Sequence, residues 1–161
     1  MRMGENGVAI EPARAEDLPQ ILRLYEELNA AMSKLQPQNF RPAAQKEDFV
    51  RSVLESRWQD FLLAKEDGAA VGFALVEDRE TPPHPAFIPR RFAYLMDLVV
   101  TEGRRGRGVG RALLAAVERW ARARGGEFIE LGVLSENLPA IGVYASYGFA
   151  ENRKVMRMDL K

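Results

Sequence analysis

A mixed α/β domain, with a mostly antiparallel central sheet and helices on both of its faces, follows from three features of this chain. Two amphipathic helical stretches between residues 15 and 58 precede two apolar runs joined at Glu66-Asp67-Gly68, a hairpin signal. A strand–helix–strand order then fills residues 92–134, and such an order needs a right-handed parallel crossover. The 161 residues are 47% hydrophobic and 29% charged. That composition supports one packed domain over residues 1–161 and argues against a disordered chain.

Val8 to Ile10 opens the chain as a short strand. Ala15 to about Met32 reads as a helix, because Leu18, Ile21, Leu22, Tyr25 and Leu28 recur at helical spacing. Gln36–Pro42 is a loop. Glu47–Trp58 is a second helix, with Phe49, Val50, Val53, Leu54 and Arg57 on or near its apolar stripe. Phe61–Lys65 and Ala70–Glu77 form the hairpin. Residues 79–91 contain four prolines and read as a long loop, since proline cannot donate to a sheet ladder. Phe92–Val100 is a buried strand. Gly108–Arg124 is a helix with Val109, Leu113, Ala116, Val117 and Trp120 on one face, stopped by Gly125-Gly126. Phe128–Leu134 is the next strand. Asn137 caps a short helix that accepts Pro139 in its first turn and ends at Gly148. Lys154–Leu160 reads as a closing strand. Trp58 and Trp120 both fall on helical stripes and are expected in the core.

Composition removes several kinds of chemistry. There is no cysteine, so disulfides, cysteine zinc sites and a cysteine nucleophile are excluded. The single histidine, His84, excludes a multi-histidine metal site, and no metal is expected. Lysine plus arginine and aspartate plus glutamate both number 23. That balance argues against a broad nucleic-acid surface. The first ten residues lack the apolar core of a signal peptide, and no apolar run approaches the ~20 residues of a membrane helix. A cytoplasmic location is expected.

The densest chemical signal is the turn from Gly103 to Arg111, with four glycines and four arginines in nine residues. It follows an apolar strand and opens a helix. Glycine admits positive φ and close approach of a ligand. The N–H groups at a helix start point together, with the positive end of the helix dipole behind them. Such a turn suits a diphosphate. It carries neither G-x-x-x-x-G-K-[ST] nor G-x-G-x-x-G, so NTP-hydrolysing and dinucleotide loops are poor matches. A ligand-free surface turn is the plain alternative.

Arg105-Gly106-Arg107-Gly108-Val109-Gly110, as R-x-x-G-x-G after AYLMDLVV, resembles the coenzyme A signature of the GNAT N-acetyltransferase superfamily. Asn137, Ala140, Tyr144, Gly148 and Phe149 match that superfamily's N-x-x-A-x-x-x-Y-x-x-x-G-F. The order of elements agrees along nearly the whole chain. The resemblance implies a GNAT-like acyl-CoA fold in which two parallel strands splay and the acyl-CoA arm pairs with the exposed edge, here Leu98, Val99 and Val100. It implies that Arg105, Gly106, Arg107, Gly108, Val109, Gly110 and Arg111 hold the diphosphate. Asn137 would bond the arm, though as a residue it reads equally as a helix N-cap.

The implied reaction is direct transfer of an acetyl group from acetyl-CoA to a primary amine in a ternary complex. Tyr144 would stand beside the thioester sulfur. A tyrosine of pKa ~10 can protonate a leaving thiolate whose thiol has a pKa of ~8.5. A backbone N–H near Leu98 or Val99 could hold the oxyanion. An alkyl ammonium of pKa ~10.4 must lose a proton first. Asp97 is the best-placed acceptor and reads equally as a structural hydrogen-bond acceptor. Glu130, Glu77 and a water chain are alternatives. Some superfamily members carry a glutamate before this aspartate; Met96 stands there in this chain. His84 reads as a surface residue, and Tyr147 falls off the motif.

The expected partners are acetyl-CoA as co-substrate and an amine acceptor, small molecule or peptide or protein. Nucleic acid and membrane are not expected, and a homodimer is left open. Loops 33–42 and 79–91 are the expected acceptor walls, with Phe40, Arg41, Glu77, Asp78, His84, Phe87 and Arg90. Peptide N-termini, lysines, polyamines, aminoglycosides, amino acids and small xenobiotic amines all fit that mixture. Two rival readings are a non-catalytic acyl-CoA sensor, which needs no base, and a nucleic-acid accessory protein using RRGRGVGR.

Overall fold

A computed structural model describes residues 7–161; of the N-terminal stretch read above, residues 1–6 lie outside it. The strands are β1 (Ala9–Pro12), β2 (Gln59–Glu66), β3 (Ala69–Glu80), β4 (Arg91–Val100) and β5 (Ile129–Leu131). The helices are α1 (Leu18–Leu35), α2 (Glu47–Glu55), α3 (Val109–Ala123) and α4 (Leu138–Tyr147). The sheet order is β1-β2-β3-β4-β5. The first three pairings are antiparallel, and β4 with β5 is parallel. The expected mixed α/β architecture is present, crossover included.

Both faces of the sheet are covered, which explains why its central strands are apolar along their length. In β2 and β3, Leu62, Ala64, Ala74 and Val76 pack against Leu113, Val117 and Trp120 of α3. Their neighbours Phe61, Leu63, Phe73 and Leu75 pack against Ile21, Leu24 and Tyr25 of α1 and Val50 and Val53 of α2. The hairpin turn puts Asp67 at φ 51° and Gly68 at φ 81°, the twist that a two-residue hairpin favours. At the start of α1, buried Asp17 accepts from the Arg14 backbone N–H and pairs with Lys65, which also pairs with Glu11. That cluster ties the helix start to β1 and β2.

Five expectations are corrected. The second helix stops at Glu55, three residues early. Ser56 turns extended, and its hydroxyl accepts from the Trp58 N–H. Trp58 is consequently half-exposed beneath the Arg57 guanidinium rather than in the core. Trp120 is buried, as expected, with its indole N–H donating to Asp60. The 79–91 loop is shorter than its prolines suggest, because Arg79 and Glu80 extend β3 and Arg91 starts β4. The strand expected over 128–134 is only Ile129–Leu131. Residues 154–160 form no strand: among the described residues their backbone has no strand partner, and Val155, Met156, Met158 and Leu160 stand exposed.

Candidate active site

The site begins with a one-residue irregularity in β4. Leu75 of β3 lies opposite Asp97 and Val76 lies opposite Leu95, so Met96 has no partner. Such a bulge bends a strand and resets which side chains face which way. Leu95 and Leu98 join the α3 side of the core, whereas Met96 and Val99 join the α1 side. The extra residue also sends the Asp97 carboxylate to Tyr25 of α1. Past the bulge, β4 and β5 separate. They pair only at Ala93–Leu95 with Ile129–Leu131, so from Met96 to Val100 the β5-side edge of β4 has no strand neighbour among the described residues. Leu98, Val99 and Val100 form the open edge expected from the sequence.

β4 leads through Glu102–Arg104, a single 3-10 turn, into the glycine-rich segment and α3. Gly106 and Gly108 have φ of 73° and 82°, a region side-chain-bearing residues disfavour. None of the backbone N–H groups from Gly106 to Gly110 makes a backbone hydrogen bond among the described residues. A Cβ built on Gly106 or Gly110 would meet no atom within 4 Å. Packing therefore does not demand glycine at 110; the open space in front of unpaired donors is what its absence of side chain preserves. These features fit an anion at the start of α3.

The arginines of the turn divide. Arg104 is held by Glu66, Arg105 donates to the Val100 carbonyl at 2.9 Å, and Arg111 donates to Ser146 and stacks on Tyr147. Arg107 alone of the four has no side-chain hydrogen bond among the described residues. The Val109 side chain is buried in the core, which leaves only its backbone for a ligand.

Where the strands part, a cavity of about 580 Å³ opens. It is lined by Met96, Asp97 and Leu98 of β4, by Asn137 and Tyr144, by the loop Gln36–Phe40 and by the segment from Leu131 to Ser135. Val155 and Arg157 border it as well. Tyr144 and Asp97 thus meet in one cleft. Burial, and then the negative charge of Asp97, push the Tyr144 hydroxyl up to about 12. Burial raises Asp97 above the ordinary carboxylate range, while the Tyr25 hydroxyl at 2.8 Å works the other way. Tyr25 itself is raised by burial and by that same carboxylate. Asn137 Oδ1 accepts from the Ala140 N–H at 3.3 Å, the capping role, and the residue also lines the cleft.

The other proposed proton acceptors are occupied elsewhere. Glu77 accepts from Gln59 and Arg79, and Glu130 pairs with Arg153. His84 accepts from the Ala86 N–H in an exposed loop. Of the two expected acceptor walls, only 33–42 borders the cleft; the second wall is 131–135 with Val155 and Arg157. The Tyr147 hydroxyl donates to Glu118 at 2.8 Å, a structural contact. Tyr25 is the site residue that sequence reading missed. It was legible only as a core aromatic, and its partner lies 72 positions away. The one available hint was that a buried tyrosine hydroxyl needs a partner. Among the described residues, no three His, Cys, Asp or Glu side chains gather as a metal site, and no helix is long and apolar enough to cross a membrane.

The model of the acetyltransferase (GNAT) family matches residues 21–149. The chain is 32% identical over 122 residues to aminoglycoside N(6')-acetyltransferase type 1 of Stenotrophomonas maltophilia, covering 71% of this chain and 76% of that protein. Two further curated acetyltransferases match over only 23% and 43% of their own lengths. Among solved structures, a tetramutant of the BH1408 protein from Bacillus halodurans superposes with a TM-score of 0.88 at 26% identity, covering 94% of this chain and 99% of that one. Aminoglycoside N-acetyltransferase AAC(6')-Iy in complex with CoA shares the fold, with a TM-score of 0.74 at 22% identity over 95% of this chain and 99% of that one.

Proposed function

Because this chain belongs to the GNAT acetyltransferase family, we propose that it moves an acetyl group from acetyl-CoA to a primary amine by direct attack in a ternary complex. The observation that carries this reading is the open β4 edge. It runs from the glycine-rich start of α3 to the cleft that holds Tyr144 and Asp97. An extended acyl-pantetheine arm has two amides to offer such an edge. The whole of residues 1–161 is read as one domain of this kind.

In this reading the N–H groups of Gly106 to Arg111 hold the diphosphate, with Arg107 the guanidinium free to approach it. Arg105 and Arg111 must exchange their present partners to do the same. The backbone of Leu98, Val99 and Val100 pairs with the arm, and Asn137 adds a side-chain contact. The amine nitrogen attacks the thioester carbonyl. A C–N bond forms, the oxygen takes up the charge near a β4 backbone N–H, and collapse breaks the C–S bond. Tyr144, neutral throughout the working range because its pKa is raised, gives its proton to the departing sulfur and takes up the second proton of the attacking nitrogen in return. Asp97, whose raised pKa makes it a better proton acceptor than an exposed aspartate, takes the proton from the ammonium. Tyr25 positions it.

The test is acetyl-CoA consumption with a panel of amines, read as thiol release. Wild type should release thiol only when an amine is present. Tyr144→Phe should lower kcat about a hundredfold with little change in acetyl-CoA affinity. Acetyl-CoA binding without turnover on any amine would favour the sensor reading instead.

A further inference from the structure

The wall that α1 and the loop after it give to the cleft is apolar. Leu28, Met32 and Leu35 recur at helical spacing along one face of α1 and line it. All three are half-buried, whereas Ile21, Leu24 and Tyr25 of the same helix are buried in the core. Phe40 continues the wall. Its backbone N–H donates to the Gln36 carbonyl at 3.0 Å, and Asn29 holds the next stretch of loop through the Ala43 carbonyl at 2.8 Å. The Phe40 ring has no aromatic partner among the described residues. Half-exposed apolar side chains gathered in a concave site gain free energy when a ligand covers them.

Charge is scarce in the same place. Met96, the bulged residue that nothing in β3 opposes, lines the cleft next in sequence to Asp97. Its sulfur stands 3.8 Å from Gln59 Nε2, which donates to one oxygen of Glu77 at 2.6 Å. Arg79 holds the other Glu77 oxygen at 2.6 Å. A thioether, not a carboxylate, thus borders the cleft at this point. Glu136, between the lining residues Ser135 and Asn137, accepts from Gln36 at 2.8 Å and is not itself part of the lining. Asp97 is the single carboxylate among the described lining residues and Arg157 the single cation. One ammonium finds a counter-charge there. A second would be desolvated against Met, Leu and Phe side chains with no partner.

We propose that the acceptor is a small primary monoamine with an apolar alkyl or aryl body, and that Met96 and Phe40 set this preference. The proposal rests on the acetyl-transfer reading and narrows its acceptor. The ammonium meets Asp97 and loses its proton there, while the body lies against the apolar face of α1 and the Phe40 ring. The cavity of about 580 Å³ is of small-ligand size. An amine with a second charged nitrogen leaves that charge unpaired in the cleft. Its rejection therefore comes from desolvation rather than from shape.

Hexylamine and cadaverine test it, because they match in length and differ only in a terminal methyl against a terminal ammonium. Thiol release from acetyl-CoA should give hexylamine a kcat/KM at least about tenfold higher. Met96→Glu should cut that ratio at least about tenfold; any change it makes at Asp97 acts on both amines and cancels in the ratio. Met96→Leu keeps an apolar side chain and should keep the preference. Phe40→Ala should lower kcat/KM about tenfold for phenethylamine and far less for methylamine, with the KM for acetyl-CoA unmoved. The wild-type ratio needs no variant to fold. Hexylamine no better than cadaverine, or preferences that Met96→Glu and Phe40→Ala both leave in place, overturn the proposal and leave acetyl transfer standing. Absence of thiol release with every amine overturns acetyl transfer and the proposal with it.

Discussion

Asp97 sets the chemistry of Tyr144. Each is pushed by burial toward its neutral form, and the charge on Asp97 raises Tyr144 further. The sign for stability follows. A carboxyl whose folded pKa is raised supports the fold below its unfolded pKa, and that support is lost as pH rises through the folded value. Asp97→Asn keeps an acceptor for the Tyr25 hydroxyl and removes the buried charge. Its Tm should exceed that of wild type at pH 7, and the difference should vanish below pH ~3.9, where both side chains are neutral. Differential scanning calorimetry across that range checks this. A variant less stable at pH 7 would show that the ionised carboxylate is better compensated than its surroundings suggest. Amine acetylation should meanwhile fall in the same variant, and the loss in wild type should set in as pH drops through the raised pKa of Asp97.

The turn into α3 separates the demands of ligand and fold within one element. Gly110 lies in the first turn of α3 with open space where a side chain would go. Alanine there should stabilise the helix by up to about 1 kcal/mol while placing a methyl in the path of the diphosphate. Gly110→Ala should therefore melt higher and bind CoA more weakly by calorimetric titration. Tighter or unchanged binding would remove the diphosphate from this turn. Such local chemistry is what a sequence displays best. The Arg105–Gly110 motif, the Asn137 cap and the apolar stripe of α3 were all legible because each is set by neighbours within a few residues. The bulge at Met96 was not, because it exists only in register with β3. Nor was the Tyr25–Asp97 bond, which joins a helix to a strand across the core. The end of α2 at Glu55 was missed because Trp58 continued an apolar period that Ser56 interrupts.

Across the domain, the sheet sorts charge as well as apolar surface. Among the described residues that line the acceptor cleft, Asp97 is the single carboxylate and Arg157 the single cation. A polycationic acceptor thus finds little counter-charge there, although the curated relative matched over most of its length bears an aminoglycoside name. Steady-state comparison should give a monoamine with an apolar body a kcat/KM at least equal to that of an aminoglycoside. A large aminoglycoside preference would mean that charges outside the cleft steer the acceptor. Among the described residues no strand follows α4, so the closing strand read at 154–160 does not cover the far edge of the sheet. The proposed placement of a thioester carrier along β4 connects these predictions. A crystal structure with acetyl-CoA should put diphosphate oxygens within hydrogen-bond distance of the N–H groups between Gly106 and Arg111, and the sulfur beside the Tyr144 hydroxyl. A carrier bound away from the start of α3, or a sulfur remote from Tyr144, would contradict the account.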